Sequence, residues 1–217
     1  MRCSSINYSS QLPPSFRFLH FTIVYYSLFT FTAILLILPK TIYLKTILTE
    51  QQISLTIQRL AYQILENHLH LQDTVIIGLQ PRGIYLSDKI VDELRKGMNN
   101  LPINYGILDI TFYRDDVRRE IKVPNKTDIN FSIENKKVVL IDDVLYTGRT
   151  IRAALDALLD FGRPSKVELC VLIDRRFSRE LPIQPDYAGK VIDALISQKV
   201  MVRWKEKDPS TEVVITE

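Results

Sequence analysis

The stretch Val138-Val139-Leu140-Ile141-Asp142-Asp143-Val144-Leu145-Tyr146-Thr147-Gly148-Arg149-Thr150 constrains the fold more than any other part of the 217-residue chain. Its first four residues, apolar and mostly β-branched, read as a strand covered on both faces, as in a parallel sheet. That strand delivers Asp142 and Asp143 to its carboxyl end, and Thr147-Gly148-Arg149-Thr150 then forms a turn that opens a helix. Carboxylates so placed can accept hydrogen bonds from the vicinal hydroxyls of a ribose. The N–H groups of the turn, the hydroxyls of Thr147 and Thr150 and the positive end of the helix dipole make an anion site sized for a phosphate. A sugar phosphate satisfies both halves. Two adjacent aspartates on their own would be read as a cap for the next helix. The apolar tetrad before them and the Thr-Gly-x-Thr after them favour the ligand site.

The rest of the chain supplies a matching frame. Ile53, Ile57, Leu60, Ala61, Ile64 and Leu65 recur at helical spacing behind Thr49, a capping residue. Thr74–Leu79 reads as a buried strand, stopped by the turn Pro81-Arg82-Gly83, and Ile84–Leu94 as a helix. Asn104–Tyr113 is a strand, Arg114–Asp128 a polar loop, Thr150–Leu159 a helix and Lys166–Ile173 the next strand. Arg176–Lys190, with its prolines, reads as irregular, and Val200–Trp204 and Val213–Ile215 as short terminal strands. Alternating strands and helices predict a doubly wound α/β domain with a mostly parallel sheet, in which ligands gather at the carboxyl ends of the strands.

Ahead of this domain, residues 1–44 contain no Asp or Glu, and Phe18–Pro39 carries no formal charge. The run is long enough to cross a bilayer, which needs about 20 apolar residues. It also resembles a signal peptide, although no small-residue cleavage site follows. In a third reading it lies upstream of a start at Leu44. The expected division is therefore a hydrophobic extension, 1–44, and a folded α/β domain, 45–217. The location is cytoplasmic, or membrane-associated if the extension is retained.

Charge and cysteines narrow the function. The chain holds 28 basic and 25 acidic residues, and setting aside Arg2, Arg17 and Lys40 leaves residues 45–217 balanced at 25 against 25. A strong nucleic-acid footprint would be basic and clustered. Cys3 and Cys170 make no disulfide framework, and His20, His68 and His70 are too few to suggest a transition-metal site.

Other residues gain meaning beside the phosphate motif. Arg82 lies in a turn that follows a strand, where Gly83 frees the backbone and lets N–H groups face a phosphate. Arg114 opens the polar loop and can approach the same group when that loop closes. Asp174-Arg175 ends the next strand at the same edge of the sheet.

The segment Val138–Thr150 resembles the signature of type I phosphoribosyltransferases. Asp142-Asp143-Val144-Leu145-Tyr146-Thr147-Gly148-Arg149-Thr150 and the Arg179–Lys190 stretch, Arg-Glu-Leu-Pro-Ile-x-x-Asp-Tyr-x-Gly-Lys, are similar to the PyrR family. That family is described as pyrimidine-operon attenuators and uracil phosphoribosyltransferases, and the likeness covers most of residues 45–205. It implies Mg²⁺-dependent conversion of uracil and phosphoribosyl pyrophosphate to UMP and pyrophosphate, the metal being bound with the diphosphate. By motif, Asp142 and Asp143 hold the ribose, and Val144, Leu145, Tyr146, Thr147, Gly148, Arg149 and Thr150 bind the 5′-phosphate. Pro81 and Arg82 bind pyrophosphate, Arg114 is the loop residue, and Arg175 and Val200 lie near the nucleotide or base. It also implies a homo-oligomer and a leader RNA as a second partner. The chain departs from the family where RNA would bind: Tyr62 and Asn67 replace a His and an Arg, Phe177-Ser178 replaces Gly-His after one extra residue, and Gln184 replaces a basic residue. Arg179 is retained.

Overall fold

The computed structural model describes residues 44–68, 71–97, 102–114 and 126–216. The run Phe18–Pro39 and most of the loop after Arg114 fall outside the described residues, so the readings made there stay expectations. Among the described residues no helix is long and apolar enough to cross a membrane.

Thr49 starts helix α1 (Glu50–Asn67) with a capping box. The Gln52 N–H donates to the Thr49 hydroxyl, and the Thr49 N–H donates to the Gln52 side chain. The helical-period residues Ile53, Ile57, Leu60, Ala61 and Ile64 are buried. The chain continues through β2 (Thr74–Leu79), α2 (Gly83–Gly97), β3 (Asn104–Leu108), β4 (Lys137–Leu145), α3 (Arg149–Leu158), β5 (Lys166–Arg176) and β6 (Tyr187–Asp193). These strands form a parallel sheet in the order β3-β2-β4-β5-β6.

The period-two geometry of a strand divides the apolar residues between the two faces. Ile76, Val139, Ile141, Cys170 and Leu172 pack with α1 and α2. Val75, Ile77, Val138, Leu140 and Val171 pack with α3. Cover on both faces is the reason β2 and β4 read as unbroken apolar runs. A second, antiparallel sheet joins β1 (Leu44–Leu48), β8 (Glu212–Thr216) and β7 (Lys199–Arg203) in the order β1-β8-β7. Its Val200, Val202 and Val213, with Trp204, join the core on the α1 and α2 side.

The chain leaves β2 toward β3 on one side and resumes at β4 on the other. The crevice between the carboxyl ends of β2 and β4 is therefore the topological switch point, where doubly wound sheets bind ligands.

Four elements differ from the sequence reading. The strand expected over Asn104–Tyr113 stops at Leu108, because the Asp109 carboxylate accepts the Thr111 N–H at 2.8 Å and its hydroxyl at 2.6 Å. This bends Thr111–Tyr113 into a short 3₁₀ turn. β4 does not end at Ile141 but carries both aspartates, since its pairing with β5 continues to Leu145 opposite Asp174. The segment expected to be irregular contains β6, held by parallel pairing to β5 from Tyr187 onward, with Pro182 and Pro185 ahead of the strand. β1 was unforeseen: it is a largely exposed edge strand with no apolar alternation, set by its pairing to β8.

Candidate active site

A cavity of about 350 Å³ opens at the carboxyl end of β4, lined by Arg114, Asp142, Val144 through Ile151 and Glu180. Gly148 is the N-cap of α3 with φ +94°, a left-handed conformation that suits glycine. A Cβ added there would also lie 3.3 Å from Leu181 and Ile183. The glycine thus lets the chain reverse and start a helix whose first N–H groups and positive dipole end front the cavity.

Asp142 and Asp143 are both buried, and the Asp143 N–H donates to Asp142 Oδ1 at 2.9 Å. Burial, and then the neighbouring Asp143 charge, push the Asp142 carboxyl well above the usual carboxylate range, with Arg114 opposing. Burial also raises Asp143, opposed by the hydrogen bond from the Val144 N–H and by the Arg82 charge. Each carboxylate oxygen can accept more than one hydrogen bond, so the pair has acceptor capacity for the two hydroxyls of a vicinal diol.

The turn at the end of β2 contains a cis Gln80–Pro81 bond. Gly83 follows, and a Cβ there would meet the Ile141 carbonyl at 2.7 Å and Asp142 Cα at 3.0 Å. Only glycine lets α2 begin against the aspartate-bearing part of β4. Arg82 Nη1 donates to the Val202 carbonyl at 2.7 Å and to Asp208 Oδ2 at 3.2 Å, tying the turn to the small sheet.

Arg175 is buried, donating to the carbonyls of Leu195 and Gln198 at 3.1 and 3.0 Å. Its guanidinium lies 4.0 Å from the centre of the Tyr146 ring, while its Nε is buried with no partner. Val200 lies in β7, almost fully buried and paired with Ile215. Of the residues singled out from sequence, Arg114, Asp142 and Val144 to Thr150 therefore line one cavity. Pro81, Arg82, Asp143, Arg175 and Val200 are not part of that lining.

Three further residues were not singled out for this site. Glu180 lines the cavity and takes a 2.7 Å hydrogen bond from Arg149 Nε. Asp208 pairs with Arg82, and Arg179 binds the Tyr146 carbonyl. Glu180 and Arg179 lie in the Arg179–Lys190 motif, the signal that could have found them; Asp208 carried none. A larger groove of about 690 Å³ lies between β1 and β6, lined in part by Lys45, Thr46, Lys190 and Asp193. It has neither a carboxylate pair nor a helix N-terminus, so the smaller cavity has the chemistry for a sugar phosphate.

Paired buried acids running into a glycine-led helix N-terminus, at the switch point of a five-stranded parallel sheet, define a type I phosphoribosyltransferase. Residues 44–207 match the family described as Phosphoribosyl transferase domain. The fold is shared with the hypoxanthine phosphoribosyltransferase of Staphylococcus aureus (TM-score 0.60, 20% identity, 78% of this chain and 89% of that one). It is shared as well with the Trypanosoma cruzi hypoxanthine phosphoribosyltransferase (TM-score 0.61, 19% identity, 80% and 91%).

Within that class the chain belongs to the PyrR family. It is 44% identical over 160 residues to the bifunctional protein PyrR of Enterococcus faecalis, covering 73% of this chain and 88% of that one. Identity to the bifunctional PyrR of Desulfosudis oleivorans is 46% (78% of this chain, 94% of that one), and to that of Bacillus subtilis 42% (79% and 96%).

Proposed function

We propose that residues 45–217 form a uracil phosphoribosyltransferase, with 1–44 as an extension outside the catalytic unit. The observation that carries this reading is the single cavity joining Asp142 and Arg114 to the Gly148-led start of α3 in a chain of the PyrR family. In the reaction, the bond from ribose C1 to the pyrophosphate oxygen breaks, a bond from C1 to a uracil nitrogen forms, and that nitrogen loses its proton. Positive charge develops on the ribose, so catalysis rests on positioning and charge stabilisation rather than on a nucleophilic side chain.

Asp142 and Asp143 accept hydrogen bonds from the ribose hydroxyls and bring negative charge close to the ring. The N–H groups from Val144 to Thr150 and the hydroxyls of Thr147 and Thr150 hold the 5′-phosphate. Pro81 and Arg82 take the pyrophosphate, and Arg114 approaches it from the loop. Arg175 and Val200 border the nucleotide and base. Among the described residues no three His, Cys, Asp or Glu side chains converge on a metal position. Mg²⁺ would enter chiefly with the diphosphate, and Asp142 or Asp143 would be the protein carboxylate available to it. When bound it neutralises leaving-group charge. A cytoplasmic setting suits Cys170, which is free and buried.

Nucleotide formation from phosphoribosyl pyrophosphate with uracil, hypoxanthine or adenine tests the proposal. UMP formation that Asp143→Ala abolishes is expected. A preference for a purine base, or full activity in that variant, would overturn it.

A second reading, a UMP-dependent RNA-binding regulator, draws on family membership, since the relatives are named bifunctional. Tyr62, exposed, stands where RNA-binding relatives carry a basic side chain, and Phe177, also exposed, stands where they carry a glycine. Arg179, the basic residue retained, is engaged with Asp174 and Tyr146. UMP-enhanced, salt-sensitive binding to a pyrimidine-operon leader supports this role, and no binding at low salt rejects it.

A further inference from the structure

The residues after β5 contact the phosphate loop in step. Arg179 Nη1 donates to the Tyr146 carbonyl at 2.5 Å, and Nη2 pairs with the Asp174 carboxylate. The N–H groups of Glu180 and Leu181 donate to the Thr147 carbonyl at 3.0 and 3.2 Å. Leu181 and Ile183 close over Gly148, and Glu180 pairs with Arg149. Two successive carbonyls of the loop are thus held by donors from one segment.

A trans peptide is planar, and its C=O and N–H point in opposite directions. Fixing the Tyr146 carbonyl therefore fixes the direction of the Thr147 N–H, and fixing the Thr147 carbonyl does the same for the Gly148 N–H. Both residues line the cavity. Arg179 is not part of that lining. Its side chain is only one-fifth exposed, and its guanidinium bonds to Tyr146 and to Asp174 at the end of β5.

We propose that Arg179 is a positioning residue for the 5′-phosphate. It aims the Thr147 and Gly148 N–H groups by holding the loop carbonyl from behind, and through Asp174 it ties that aim to the strand end on the base side. This rests on the phosphoribosyltransferase reading of the cavity.

The test is calorimetric binding of two probes, ribose 5-phosphate and Mg²⁺-diphosphate, to the full chain and its variants. In Arg179→Gln, ribose 5-phosphate should bind about tenfold or more weakly, the scale of one lost charge-assisted hydrogen bond, with diphosphate affinity unchanged. Arg179→Lys, which keeps a donor but loses the two-pronged grip, should fall between wild type and Arg179→Gln. If Arg179→Gln does not fold, the same selective loss must appear in Arg179→Lys. Unchanged ribose 5-phosphate binding, or equal loss of both probes, overturns the proposal. A wild-type chain that binds neither probe overturns the reading of the cavity as well.

Discussion

Arg82 and Asp208 lie 3.2 Å apart, nitrogen to oxygen, and the same Arg82 nitrogen donates to the Val202 carbonyl at 2.7 Å. This pair joins the turn assigned to pyrophosphate to the connection between β7 and β8. Asp208 also accepts the Trp204 N–H at 3.0 Å, and together these contacts hold its carboxyl below the ordinary range. Asp208→Asn keeps an acceptor for Trp204 and removes the charge competing for Arg82. Diphosphate should then bind roughly two- to fivefold more tightly, the scale of a partly exposed ion pair. Titration at low and high salt checks this; unchanged affinity would remove Arg82 from the diphosphate site.

Asp142 separates function from stability. Its carboxyl is raised above the ordinary 3.8 by burial and then by Asp143, so the native state holds its proton more tightly than the unfolded chain. The unfolded state sheds its proton first as pH rises through about 3.8, and stability falls with pH until the native group ionises too. Asp142→Asn should accordingly raise the melting temperature at pH 7.5, with the gain vanishing below pH 3.8. The same variant should lose at least about tenfold in kcat/KM, because a carboxylate near the ribose centre is replaced by an amide. Thermal melts across pH, with assays of UMP formation, test both halves.

Gly83→Ala should be costly and Gly97→Ala mild. The added Cβ at 83 meets the Ile141 carbonyl at 2.7 Å, backbone that cannot yield without moving β4 or α2. At 97 it meets the end of the Leu65 side chain at 2.9 Å, which can rotate away. A loss of about 1–3 kcal/mol is expected at 83, the usual range for overpacking, together with loss of activity. Denaturant melts of the two variants side by side decide the matter.

Glu168 anchors a buried network at the opposite end of the sheet. It takes bonds from His68 Nε2 at 2.8 Å, the Tyr187 hydroxyl at 2.7 Å and Lys166 Nζ at 2.6 Å. Burial alone would raise its carboxyl, but the bonds from Lys166, Tyr187 and His68 outweigh it and hold the group at about 2. Against an ordinary 4.5, the stabilisation is complete above that pH and is lost as pH falls toward 2. Glu168→Gln should cost up to about 3 kcal/mol at pH 7, converging with wild type in acid. UMP formation at 25 °C should be retained, because Glu168 lies near the amino end of β5.

The sequence by itself determined the elements whose cause is local. α1 follows from the Thr49 cap and one apolar face, and β2 and β4 from apolar runs that only a two-sided sheet can bury. The phosphate loop was legible because Asp142 and Val144 through Thr150 lie within nine consecutive residues, and chain geometry alone brings them to one cavity.

Only the tertiary structure decided the rest. β1 and β6 have weak patterns of their own and exist through pairing with β8 and β5. Arg82 meets Asp208 across 126 positions, and Arg179 meets Tyr146 across 33. Neither partner advertises the other in sequence, because a hydrogen bond depends on where folding brings its donor and acceptor, and residue identity supplies only the capacity to form it.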